Sequence, residues 1–129
     1  MRIDPIEVLV TYLRSQPGIP ASAPKGDLTE HVTGDTTIYL EHSGGFRVVR
    51  DRMDRFDVEY DVYSPDRKAC VDLALLVRET LLEKLPNAAV GGALVLDVDE
   101  IAAPSYYPDD SSREHVYGGE VSVFLTEAD

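Results

Sequence analysis

Phe56-Asp57-Val58-Glu59-Tyr60-Asp61-Val62-Tyr63 sets apolar or aromatic residues against acids without a break. A side-chain period of two marks a β-strand with one buried and one wet face. Ser64-Pro65 follows and predicts the opening of a helix, with Ser64 as cap and Pro65 as first residue. Ala69, Leu73, Leu76, Val77, Thr80 and Leu81 then recur at helical spacing up to Leu85, and Pro86-Asn87 closes the pattern. About twenty residues make roughly 30 Å of helix, enough to lie diagonally across a small sheet.

Upstream of this unit, Asp4-Pro5 caps a short predicted helix whose stripe is Ile6, Leu9, Val10 and Leu13; Gln16-Pro17-Gly18 ends it. A long surface loop is expected at about 17–35, with a short extended piece at 28–32. Residues 36–41 (TTIYLE) and 46–50 read as two strands of a hairpin turning at Ser43-Gly44-Gly45. Downstream, Gly91-Gly92 makes a turn and residues 94–101 (LVLDVDEI) form a strand ended by Pro104. Residues 116–126 are the closing strand, and Gly118-Gly119 near its start suggests a bulge. The expected fold is one α+β domain over residues 1–129. Its sheet is mostly antiparallel, of about five strands, with two helices packed on one face in the order α-β-β-β-α-β-β.

The 129 residues suffice to bury a core without disulfide or metal. A hydrophobic share of 43 % and a charged share of 28 % exclude a disordered chain and a membrane protein. Residues 1–20 do not read as a signal peptide, and the single Cys70 excludes an intramolecular disulfide and a four-cysteine zinc site. Folding in a cytoplasm is the expectation that follows. The net charge of −12 opposes extended duplex binding, which depends on Lys and Arg releasing counterions. From Asp97 onward nine acids face Arg113 alone.

Few residues suggest chemistry. The glycine pairs open no phosphate-cradling helix, and no serine sits in a Gly-x-Ser-x-Gly elbow. His31, His42 and His115 lie in loops or at strand ends without ligand spacing and read as solvated polar residues. Cys70 reads as a small buried residue. Asp97 and Asp99 share one strand face, with Glu100 beside them and Asp109-Asp110 in the next loop. Converging carboxylates could hold a hard cation, but a wet strand face is the stronger reading, so no metal, cofactor or catalytic residue is assigned. A second segment stands out: Arg47, Arg50, Arg52 and Arg55 are interleaved with Asp51, Asp54 and Asp57. One reading is a solvated charged loop. The other is a subunit interface in which Arg forks grip carboxylates of a neighbour, with Asp97, Asp99 and Glu100 as candidates.

Four stretches together resemble the tail terminator proteins of long-tailed bacteriophages, especially those of actinobacterial phages. They are residues 38–49 with Gly44-Gly45, residues 56–82 (FDVEYDVYSPDRKACVDLALLVRETLL), residues 95–109 (VLDVDEIAAPSYYPD) and residues 116–125 with Tyr117. The last strand departs from many relatives, which begin it with Arg-Tyr. The resemblance implies a non-enzymatic structural protein of the virion, assembled in the host cytoplasm and sited at the tail-neck junction. It implies a homo-oligomeric ring, usually of six subunits, that binds the last ring of the major tail tube protein and stops polymerisation. The other face would meet the head-tail connector proteins, and DNA would pass through without specific binding. A neck or connector-completion protein is the alternative, and a small metal- or ligand-binding α+β module a second one.

Overall fold

The computed structural model describes residues 1–107 and 113–128. Its elements are α1 (Pro5–Arg14), β1 (Pro24–Lys25), β2 (Thr37–Val49), β3 (Met53–Ser64), α2 (Arg67–Glu79), β4 (Ala89–Val90), β5 (Ala93–Tyr106) and β6 (His115–Glu127). The strands form one sheet in the order β1-β2-β3-β6-β5-β4, curled into a half-barrel. All neighbours are antiparallel except β1 and β2. The fold is α+β with a mostly antiparallel sheet, and both helices share one apolar cluster with one face of it.

β3 behaves as its alternation dictates. Val58, Tyr60 and Val62 are fully buried beneath the helices, while Asp57, Glu59 and Asp61 face the other way. Tyr60 is the largest fully buried side chain, yet its hydroxyl has no hydrogen-bond partner among the described residues. A buried orphan hydroxyl costs about 1–3 kcal/mol of desolvation. Tyr60→Phe is therefore expected to raise stability by about 1 kcal/mol in urea unfolding; a loss of that size would mean that something holds the hydroxyl.

Several expectations need correction. The predicted hairpin at Gly44-Gly45 is one continuous strand with a bulge between His42 and Gly44, and its turn lies at residues 50–52. Gly45 has φ +125°, and a Cβ there would collide with the Arg55 carbonyl oxygen and come within 2.9 Å of Phe56 Cα. The glycines thus let β2 bend close against β3 rather than reverse the chain. Val49 accepts from the Arg52 amide at 3.0 Å, and Asp51 takes the left-handed φ of +57° in the turn. In the loop at 17–35, the extended piece is Pro24–Lys25 instead of 28–32, because Ala23 is buried and its carbonyl accepts from Ile38 at 2.8 Å.

The main helix starts later than Ser64-Pro65. Ser64 still pairs with His115 in the sheet, and Asp66 caps the helix by accepting from the Ala69 amide at 2.9 Å. Its buried stripe is Cys70, Ala74, Val77, Leu81 and Leu85, one position on from Ala69, which is exposed. The helix runs on through a π-type turn at Thr80–Lys84. In α1 the Asp4 cap is present, accepting from Ile6 and Glu7, but Val8, Leu9 and Leu13 carry the burial while Ile6 and Val10 are half-buried. Pro104 does not end β5. It sits where the ladder with β6 breaks between Ala102 and Ser105, a place where its missing N–H is tolerated. The expected bulge at Gly118-Gly119 belongs to this opposing stretch of β5; the two glycines themselves pair in register with Asp61 and Tyr60.

Candidate interaction surfaces

The arginine-rich segment is the outer half of the β2–β3 hairpin. Every residue of β2 from Glu41 to Val49 is exposed, so this half extends beyond the core as an arm. Phe46, Val48 and Val49 present apolar surface on it, with Phe46 59 % exposed. Arg47 stands opposite Asp54 in register. Arg50 and Asp51 project at the tip, 4.0 Å apart and almost fully solvated, a pair that contributes little by itself. Arg52 is also exposed. Arg55 differs: its guanidinium lies 2.9 Å from Asp57 and sits over the Phe46 ring at 5.2 Å. Asp57 also accepts from Ser122 at 3.0 Å. Arg55 is thus spent within the chain, leaving Arg47, Arg50 and Arg52 to reach outward.

The acids of β5 divide. Asp97 stands opposite Phe124 and Asp99 opposite Ser122, which places both on the face away from the helices. Asp97 accepts from the Val98 amide at 2.8 Å. Glu100 faces Val121 instead and is gripped by Arg78 of α2 through two bonds of 2.6 and 2.8 Å. That guanidinium holds the Glu100 carboxyl below the usual carboxylate range. Asp109 and Asp110 lie outside the described residues. Among the described residues no group of three or more His, Cys, Asp or Glu is placed to hold a metal.

Sequence reasoning missed two arrangements. The first is a row of glutamates across three strands: Glu41 pairs with Glu59, and Glu59 with Glu120. Like charges directly opposite one another are destabilising. Burial, then Glu120 and Glu41, push the Glu59 carboxyl up. Beside the row, burial, then Glu59 and Glu41, raise Asp61 to about 6. Tyr107 donates its hydroxyl proton to Asp61, and the space this pair occupies is where a Cβ on Gly118 would sit. Ser43 donates to Glu120 at 2.5 Å. Glu59 and Asp61 were legible on the wet face of their strand, but their alignment with Glu41 and Glu120 depends on register.

The second is a polar knot around His31, which corrects the solvated reading of that residue. Its Nδ1 lies 2.8 Å from Thr37 Oγ1 and its Nε2 3.0 Å from both oxygens of Glu114. Its ring also packs on Tyr63 at 5.1 Å. The knot ties the long loop to the far face of the sheet, next to the register partners Thr37, Tyr63 and Val116. A threonine, histidine and carboxylate in line have the chemistry of an activated nucleophile. Thr37, however, is fully buried, so no substrate can reach its oxygen. His42 contacts the Gly44 carbonyl at 2.8 Å, and His115 lies 3.1 Å from the Tyr106 hydroxyl. Cys70 is buried, its Sγ donates to the Val62 carbonyl at 3.1 Å, and burial pushes its thiol up, away from the thiolate a nucleophile needs. Among the described residues no helix is long and apolar enough to cross a membrane. No protein-family model matches the chain, and no curated protein matches it significantly.

Proposed function

We propose that this chain is a structural assembly protein of a phage tail, a terminator ring that caps the tail tube. One observation carries the reading: the best-built exposed feature is the arm of β2 and β3, with apolar and arginine side chains held forward of the core. Such a surface suits protein partners, because aromatic and arginine side chains anchor interfaces. The reading also rests on the four stretches that resemble tail terminators, of which the first holds its Gly44-Gly45 pair inside β2 rather than in a turn.

In this role one face of the ring complements the last ring of the tail tube protein, and the opposite face recruits no further ring. A stack of heterologous contacts that would otherwise continue is thereby closed. The head-tail connector then meets the free face. The acids on the sheet face away from the helices, Glu41, Glu59 and Glu120 among them, would repel phosphates wherever they border the DNA path.

The test is electron microscopy of tails assembled without this protein. Overlong tubes are expected. Tubes of normal length that fail to join heads would overturn the terminator reading in favour of a neck protein.

A further inference from the structure

We propose that copies of this chain join edge to edge, the free edge of β2 in one copy lying along the free edge of β5 in the next. The inference rests on the ring reading above and names the surfaces that would build it.

The sheet order places β2 and β5 near its opposite sides, each covered by only a two-residue strand. β1 pairs with β2 at Ile38 and Tyr39 alone. β4 pairs with β5 at Ala93 and Leu94, and the chain before it reaches no farther than Val95. Among the described residues, β2 from 41 to 49 and β5 from 97 to 106 therefore have no strand on their outer side. Side chains already engage the Val98 amide and the Gly44 carbonyl, and the rest of these lengths has no strand to pair with, which makes each a template for another strand.

Charge selects which strand. The arm carries Arg47, Arg50 and Arg52 besides the Arg55 that Asp57 holds, against Glu41, Asp51 and Asp54, so its excess of positive charge lies at the tip. β5 beyond Val95 carries Asp97, Asp99 and the Glu100 that Arg78 grips, and no base. Pairing β2 with β2 would set arginines against arginines, and pairing β5 with β5 would set acids against acids. Pairing β2 with β5 joins opposite signs and also brings exposed Phe46 and Val48 toward exposed Leu96 and Ile101. Because the two edges differ, the contact is head-to-tail, and each added copy offers a fresh edge until a ring closes. Bulges bend both strands, which leaves an ordinary flat strand a poor fit to either.

The experiment uses light scattering and sedimentation of three purified chains: the wild type, Arg50→Glu with Arg52→Glu, and Asp97→Arg with Asp99→Arg. All four positions are exposed, so unchanged melting curves are the control for folding. The wild type is expected to form a closed multimer that weakens as salt rises from about 0.05 to about 0.5 M. Each double variant is expected to weaken association about tenfold or more. Mixed in equal amounts, the two variants should assemble again, since an acidic tip then meets a basic edge and a basic tip an acidic edge. Wild-type assembly by the Asp97 and Asp99 variant, a mixture that stays dissociated, or a wild type monomeric at every concentration overturns the pairing. Assembly through other surfaces would leave the terminator reading standing, because tube length alone decides that.

Discussion

Gly45→Ala is expected to lower stability by about 3 kcal/mol, read as a fall in the urea midpoint with an unchanged slope. Two costs add. A φ of +125° is a backbone conformation that alanine adopts only under strain of about 1–3 kcal/mol. The new methyl would also meet the Arg55 carbonyl oxygen and Phe56 Cα, both backbone of the paired strand, so no side chain can swing aside. Relief requires β2 and β3 to separate at Phe46 opposite Arg55 and Gly45 opposite Phe56, next to where Phe56 pairs with Val123. Gly44→Ala is the matched control. Its Cβ would lie 3.7 Å from Asp57 Oδ2, an ordinary contact, and its φ is not positive, so a change within about 0.5 kcal/mol is expected. Equal effects from the two substitutions would remove the bulge argument.

Asp61→Asn should stabilise the chain at pH 8 by about 2 kcal/mol and leave it unchanged near pH 4. Burial, with Glu59 and Glu41 nearby, raises the Asp61 carboxyl from 3.8 in the unfolded chain to about 6 in the folded one. Folding therefore favours the protonated acid. Whatever stability the neutral form confers is complete below about pH 4, declines as pH climbs toward 6, and is gone above it. A rise of that size corresponds to roughly 3 kcal/mol, and partial solvent access reduces it to the expected value. Asparagine is neutral at every pH and keeps an oxygen for the Tyr107 hydroxyl. Urea midpoints at the two pH values provide the check. A variant that is less stable at pH 8, or displaced equally at both, would mean that the charged carboxylate is a favourable partner here.

The α+β class was legible because local periodicities survive in the folded chain. The alternation of residues 56–63 became β3, and the helical spacing after it became α2. Errors fell where one residue type serves two geometries. Gly44-Gly45 reads equally as a hairpin turn or as a bulge, and the closeness of Arg55, ten residues on, decides between them. Ser64-Pro65 has the chemistry of a helix start, but the ladder with β6 holds Ser64 in the sheet and hands the cap to Asp66. The candidate interface was half legible: the arginine segment was visible as a run, whereas the loss of Arg55 to Asp57 and of Glu100 to Arg78 was not.

The sequence by itself determined the α+β class, the two faces of β3, the presence of both helices and the imbalance of charge, since these follow from composition and from side-chain spacing along a single strand or helix. Only the tertiary structure decided which acids confront one another. Glu41, Glu59 and Glu120 are distant in the chain and meet because β2, β3 and β6 lie side by side in one register. A slip of one residue would turn each of them to the opposite face. The same folding seats His31 between Thr37 and Glu114, a contact across 83 residues that no local pattern encodes.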